Sequence, residues 1–119
     1  MHRPVHIGLI GAGTCGTMFL AQALRTPSLH VVAIADLSIP RARAALHRAR
    51  WPDDRAAAPS CARALATGDT YLTEDADAMI AADGLKIVIE ATGDPARGRP
   101  PCTVVLPSRA SRRHGQRRG

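Results

Sequence analysis

A glycine-rich turn between an apolar run and a helical pattern constrains this chain more than any other feature. The apolar run Val5–Ile10 leads directly into Gly11, and Gly13 and Gly16 complete the spacing Gly-x-Gly-x-x-Gly. Gly11 permits a tight turn off a strand, Gly13 lets the backbone approach a phosphate, and Gly16 lets the following helix pack closely on the sheet. The next apolar run ends at Asp36. This order of strand, turn, helix, strand and acid predicts a dinucleotide-binding βαβ unit.

The predicted binding site lies where the turn meets the helix, because free N–H groups and the helix dipole favour an anion there. Asp36, at the end of the second strand, is placed to accept hydrogen bonds from a ribose diol. Its charge repels a 2′-phosphate and favours NAD, whereas Arg41 and Arg43 leave NADP open because arginine neutralises such a phosphate. The turn residues predicted to contact the cofactor are Gly11, Ala12, Gly13, Thr14, Cys15 and Gly16.

The patterns that follow, up to Asp94, predict alternating strands and helices. Further strands are predicted over Leu29–Ala35, Thr70–Leu72 and Lys86–Glu90. Helices are predicted from Gly13 to Arg25, from a cap at Ser38 to Arg50, over Ser60–Ala66, and from a cap at Thr73 or Asp75 to Ala82. Such alternation is typical of α/β domains. We therefore predict an incomplete Rossmann-type, doubly wound parallel sheet in residues 1–94.

Composition changes abruptly after residue 94. Residues 1–94 hold all ten acidic residues and nine of the sixteen lysines and arginines, whereas residues 95–119 hold seven arginines and four prolines. Such a segment buries too little apolar surface to offset its ordering entropy, which predicts a disordered basic tail. A basic tail could contact nucleic acid, although this one has no aromatic residue for base stacking and no helical period.

Other site classes have little support in the sequence. The three cysteines, Cys15, Cys61 and Cys102, lack a Cys-x-x-Cys spacing, so we expect reduced thiols rather than a disulfide framework or a zinc site. The five histidines show no metal-ligand spacing. No segment resembles a signal peptide or reaches the roughly 20 apolar residues of a membrane span. These features predict a cytoplasmic protein without a metal site.

With the glycine motif, Asp36 and the segment Ile87–Gly93 placed, the chain resembles the N-terminal NAD(P)-binding domain of homoserine dehydrogenase-like oxidoreductases, particularly those with a C-terminal SAF domain. That segment reads Ile-Val-Ile-Glu-Ala-Thr-Gly, and the resemblance covers residues 5–94. It implies that Ala91, Thr92 and Gly93 line the cofactor near its nicotinamide end. It also implies hydride transfer between the cofactor and a small hydroxy or oxo substrate.

The family pattern is lost after Asp94, where the relatives continue with an Ala-rich helix and a strand introduced by Gly-Lys-His. Their later strands, catalytic lysine and substrate domain have no counterpart here. Lys86 lies at the amino end of its strand, opposite the ligand edge, so we assign no catalytic residue. We predict a truncated cofactor domain with little or no turnover by itself, followed by a tail from a shifted reading frame. The alternatives are a non-enzymatic module with a nucleic-acid-contacting tail and a fragment that never folds stably; neither substrate nor oligomeric state follows.

Overall fold

The computed structural model of this protein describes residues 4–81, 84–92, 98 and 102–105. In this part of the chain, five strands form one sheet: β1 Val5–Ile10, β2 Leu29–Ala35, β3 Tyr71–Thr73, β4 Ile87–Glu90 and β5 Thr103–Val105. The helices are α1 Thr14–Leu24, α2 Ile39–Arg48, α3 Cys61–Thr67 and α4 Ala76–Ala81, with a short 3₁₀ helix over Asp53–Ala56. The predicted α/β class is confirmed.

The strand order in the sheet is β3-β2-β1-β4-β5. The first four strands are parallel, and β5 runs antiparallel to β4. From β1 the chain winds outward through β2 to β3, and it then returns through α4 to place β4 on the other side of β1. The strands that follow β1 and β4 in the chain, β2 and β5, therefore lie toward opposite edges of the sheet. Open α/β sheets bind ligands outside the carboxyl ends of the strands at such a reversal.

Helices cover both faces of the sheet, which explains the nearly continuous apolar runs of β1 and β2. Leu9 and Ile34 pack on one face with α1 and α2, while Ala33 and Ala35 pack on the other with Met79 of α4. Alanine is the commonest residue of the first cluster, and its small side chains let these helices lie close to the strands.

The alternation along β2 contains an irregularity that no sequence pattern indicates. Ile7 pairs with Val31 but Gly8 pairs with Ala33, so β2 carries one extra residue at Val32. Such a bulge shifts the alternation by one position. It explains why Val31 packs on one face while Ala33, two residues later, packs on the other.

The helix ends follow from local chemistry. The Ser38 hydroxyl accepts a hydrogen bond from the N–H of Arg41 at 3.3 Å, and the Asp75 carboxylate accepts one from the N–H of Ala78 at 3.0 Å. Side-chain caps of this kind satisfy N–H groups that have no partner within a helix. Of the two caps considered for α4, Asp75 is the one that bonds to the helix backbone.

The third strand is displaced by one residue from its predicted position. Thr70 precedes the strand and is completely buried, and its hydroxyl donates to the carbonyl of Val31 at 2.7 Å. The backbone N–H of Thr70 donates to the carbonyl of Arg55 at 2.7 Å. These bonds hold Thr70 beside the sheet, and the pairing of β3 with β2 then runs from Tyr71 to Thr73.

A short strand, Thr103–Val105, lies within residues 95–119, which the sequence predicts to be disordered. This strand is β5, and its residues pair with Glu90, Ile89 and Val88 of β4. Two adjacent valines favour an extended backbone, and β4 would otherwise present an unpaired edge. Gly98 and Cys102 are the other described residues of the tail. The arginines on which a nucleic-acid contact would depend lie outside the described residues.

Candidate functional site

A cavity of about 430 Å³, which we term the main cavity, opens at the carboxyl edge of the parallel strands. All four parallel strands contribute to it through residues that follow them: Gly11 and Gly13 after β1, Asp36 and Leu37 after β2, Glu74 after β3, and Ala91 and Thr92 after β4. The cavity lies within the size range of small-ligand sites. It also lies beside the reversal between β1 and β4, where such sheets bind ligands.

Two glycines of the turn are required by close packing. Gly11 has φ +90°, and a Cβ atom there would lie 2.7 Å from Cγ2 of Thr92. A Cβ atom on Gly16 would lie 2.5 Å from the carbonyl oxygen of Gly11. The tight turn and the close helix packing are therefore those that the sequence predicts for these two positions.

Gly13 differs from both because its surroundings are open. Among the described residues, a Cβ atom there would meet only Nη2 of Arg41 within 4 Å, at 3.4 Å. Gly13 is the N-cap of α1, no side chain caps that helix, and its first turn holds no acidic residue. Partial positive charge from the N–H groups of the first turn is therefore not neutralised by a carboxylate of that turn.

The other turn residues have different surroundings. Ala12 is completely buried and packs in the core, so its side chain does not line the main cavity. Thr14 is exposed and lines an adjoining groove of about 520 Å³ between α1 and α2. Cys15 is half-buried against the core. Among the turn residues, Gly11 and Gly13 are therefore the ones that border the main cavity.

Asp36 is the most unusual polar group of the cavity. Its side chain is only 7% exposed, and its Oδ1 accepts a hydrogen bond from the N–H of Leu37 at 2.8 Å. Its Oδ2 is buried and accepts no hydrogen bond from the described residues. Among the described residues, Arg41 is the one cation within 4 Å of this carboxylate, with its Nε 3.6 Å from Oδ2, beyond ordinary hydrogen-bond length. A buried carboxylate oxygen in this state is costly unless a further group supplies a donor.

The end of β4 forms the opposite wall. The N–H of Ala91 donates to the carbonyl of Ile10 at 2.7 Å, which extends the contact between β1 and β4 beyond the strands. Ala91 and Thr92 both line the main cavity, and Thr92 is exposed. The structure thus brings Ala91 and Thr92 to the same cavity as Gly11 and Asp36. Gly93, the third residue expected there, lies outside the described residues.

Cys15 and Cys102 form a disulfide, so the expectation of reduced thiols is wrong for this pair. Their Cα atoms are 6.3 Å apart, within the range of disulfide-bonded residues. The cause is the pairing of β5 with β4, which brings Cys102 to the edge of the sheet where α1 begins. Since 87 positions separate the two cysteines, no local pattern indicates the pair. Cys61 is a free thiol.

Leu37, Arg41 and Glu74 were not placed together in this cavity from the sequence, although all three line it. Leu37 is 92% exposed beside Asp36, and Glu74 lies directly after β3. Arg41 was considered only as a partner for a 2′-phosphate, yet it also reaches Gly13. The position of Glu74 could have been inferred, because β3 ends at the same edge as β2 in a parallel sheet. The position of Arg41 depends on how α2 packs.

Lys86 lies at the other end of the sheet, as predicted. Its N–H donates to the carbonyl of His6 at 2.8 Å, at the amino end of β1. The rings of His6 and His30 meet edge to face at this same end, with centroids 5.3 Å apart. Within residues 4–81, 84–92, 98 and 102–105, no three His, Cys, Asp or Glu residues are grouped to hold a metal ion. In those ranges, too, every helix is too short or too polar to cross a bilayer.

No family model and no curated protein matches this chain. The resemblance to homoserine dehydrogenase-like oxidoreductases therefore depends on the motifs in the sequence.

Proposed function

We propose that this chain is a Rossmann-type domain that binds a nicotinamide dinucleotide, with NAD favoured over NADP. The strand order β3-β2-β1-β4 is the order of the first half of a Rossmann sheet together with the strand that follows the crossover. The turn after β1 has the glycine packing of a dinucleotide-binding loop. The acid after β2 lies in the same cavity as that turn.

The observation that carries the proposal is the buried Oδ2 of Asp36, which accepts no hydrogen bond in the described chain. A ribose diol offers the two O–H donors that a carboxylate of this kind requires. Leu37 adds an exposed apolar side chain beside Asp36, on which an adenine ring could pack. The acceptor Oδ2 of Asp36 and the apolar side chain of Leu37 beside it thus fit the adenosine half of a dinucleotide.

The remaining parts of the cavity fit the other half. Gly13 and the N-terminus of α1 would hold the diphosphate, because the space around Gly13 is open and the helix end carries no capping side chain. Ala91 and Thr92 would lie toward the nicotinamide. A bound cofactor of this type supplies the hydride chemistry. The residues of this chain bind and orient it, and Glu74 is the further charged group at the rim.

From the motif Glu90-Ala91-Thr92 together with the glycine turn, we further propose that the domain comes from a homoserine dehydrogenase-like oxidoreductase. The reaction would be hydride transfer between the cofactor and a small hydroxy or oxo compound. Because Lys86 lies at the opposite end of the sheet, a role for it in that reaction is disfavoured.

Calorimetric titration of the whole chain with NAD tests the binding proposal, with Gly13→Val as the decisive variant. Gly13 has φ −79°, so valine is not strained by backbone conformation, but its branched side chain would enter the space proposed for the phosphates. We expect binding by the wild type and a loss of at least tenfold in affinity in Gly13→Val. Circular dichroism of the variant controls for folding. Equal NAD affinity in a folded Gly13→Val variant, or no binding by the folded wild type at millimolar NAD, would overturn the proposal.

A further inference from the structure

Arg41 lies close to both ends of the path proposed for the adenosine diphosphate. Its Nε lies 3.6 Å from Oδ2 of Asp36, and its Nη2 lies 3.4 Å from the position that a Cβ atom on Gly13 would occupy. The same side chain lines both the main cavity and the groove between α1 and α2. One guanidinium therefore lies between the carboxylate and the open backbone of the glycine turn.

The backbone of Arg41 is fixed by a helix cap, whereas its side chain is largely exposed. The backbone N–H donates to the Ser38 hydroxyl at 3.3 Å in the first turn of α2, but the side chain is 61% exposed. Only the Arg41 side of this pair is exposed, because the Asp36 carboxylate is buried, so Arg41 leaves it at low cost only where another donor reaches Oδ2. The guanidinium can therefore exchange one anion for another when ribose hydroxyls replace it at Asp36.

Asp36 and Arg41 line the same cavity, and Nε of Arg41 lies 3.6 Å from the buried Oδ2 of Asp36. A ribose hydroxyl that bonds to Oδ2 would take the place of the guanidinium beside it. A diphosphate over Gly13 would offer that guanidinium several strong acceptors, and its planar set of donors matches a phosphate well. Loss of the contact to Asp36 would then be offset by a contact to the ligand.

Resting on the proposed function, we propose that Arg41 is a movable cover that makes the adenosine pocket selective for nucleotides that carry a diphosphate. In the free protein Arg41 screens the Asp36 carboxylate. When a nucleoside diphosphate group binds, Arg41 turns to the phosphate over Gly13 and leaves Oδ2 to the ribose. A nucleoside without phosphate must displace Arg41 and offers it nothing in return.

The test compares ADP with adenosine as probes for the whole chain by calorimetry or ligand-observed NMR. We expect Arg41→Gln to lower the affinity for ADP about three- to tenfold, the effect of one charge-assisted contact at a partly exposed site. Its affinity for adenosine should stay the same or rise, because the cover is removed. Arg43→Gln is the matched control: Arg43 is exposed on the same helix, and the charge change is equal, but Arg43 does not line the cavity. It should change neither affinity by more than about twofold.

Equal losses for ADP and adenosine in Arg41→Gln would mean a merely structural role, and an unchanged ADP affinity would mean that Arg41 does not reach the phosphates; either result overturns the proposal. Gly13→Val distinguishes a wrong assignment of the diphosphate site from a wrong role for Arg41. If Gly13→Val binds ADP like the wild type, the diphosphate site itself is wrongly assigned. If Gly13→Val loses ADP while Arg41→Gln behaves like Arg43→Gln, only the role of Arg41 is wrong.

A measurement on the unmodified chain keeps the proposal testable even if Arg41→Gln does not fold. The Nε–H resonance of Arg41 is followed by NMR during titration with inorganic pyrophosphate. We expect this resonance to shift in a saturable manner together with the backbone N–H signal of Gly13. A saturable shift at Gly13 without one at Arg41, or no shift at either residue, would overturn the proposal.

Discussion

Thr92, which follows β4, lies directly against Gly11, which follows β1: a Cβ atom on Gly11 would be 2.7 Å from Cγ2 of Thr92. The glycine turn and the Glu-Ala-Thr segment are therefore two sides of one junction at the reversal of the sheet. Gly11 also has φ +90°, a conformation that side chains disfavour. The shape of the cavity floor depends on the absence of a side chain at this position.

Replacing Gly11 with alanine should lower the free energy of unfolding by about 2 to 4 kcal/mol, because left-handed strain and a steric clash combine. Urea unfolding followed by circular dichroism measures this. In a Thr92→Ser background, which removes Cγ2, the loss should be smaller by about 1 kcal/mol, the size of a contact coupling. An equal loss in both backgrounds would show that the strain at Gly11 acts alone and that the contact with Thr92 is unimportant.

Asp36→Ala should weaken NAD binding by about tenfold and NADP binding by less, which calorimetry with each cofactor would show. The substitution removes a hydrogen-bond acceptor for the ribose diol that NAD presents, together with a negative charge that repels a 2′-phosphate. Asp53→Ala is a suitable control, because the Asp53 side chain is 80% exposed and pairs with His47 away from the cavity. A larger loss for NADP than for NAD would show that Asp36 does not face the ribose.

The disulfide between Cys15 and Cys102 predicts a thiol count of one for the unreduced chain. Iodoacetamide under denaturing conditions should add a single group, at Cys61, and three groups after reduction. Reduction should also lower the free energy of unfolding by about 2 to 4 kcal/mol, since the crosslink closes a long loop. Cys102→Ser provides the control, because its stability should not respond to reductant. Three thiols in the unreduced chain would contradict the pairing.

Burial raises the pKa of the Cys61 thiol above its ordinary value. As pH rises above about 8.5, the thiol ionises first in the unfolded chain, so the folded state holds more protons and becomes relatively less stable. We expect the free energy of unfolding to fall more steeply between about pH 8 and pH 10 in the wild type than in Cys61→Ala. Denaturant titrations at several pH values measure the difference. Parallel pH curves for the two chains would mean that Cys61 ionises alike in both states.

The parts of the fold that sequence reasoning predicted are those governed by neighbours along the chain. The turn after β1 has the glycine at positive φ where a glycine was expected, and Ser38 and Asp75 bond to the first turns of their helices. Such features follow from backbone conformation and from hydrogen bonds over a few residues, so local residue types specify them. Alternation of apolar runs with helical patterns likewise specified the α/β class.

What the tertiary structure decided involves residues far apart in the chain. Three such features depend on strand order and helix packing. Gly11 meets Thr92, Arg41 lies near both Asp36 and Gly13, and Cys15 pairs with Cys102. The tail has few apolar residues, and its composition predicts disorder. Two of its valines nevertheless pair with the open edge of β4. A short segment can become ordered by pairing with an existing strand edge, and its own composition does not show that such an edge is available. By itself the sequence therefore determined the local turn, the helix caps and the fold class. Only the packed sheet decided which residues share the cavity, because it brings distant backbone edges and side chains together.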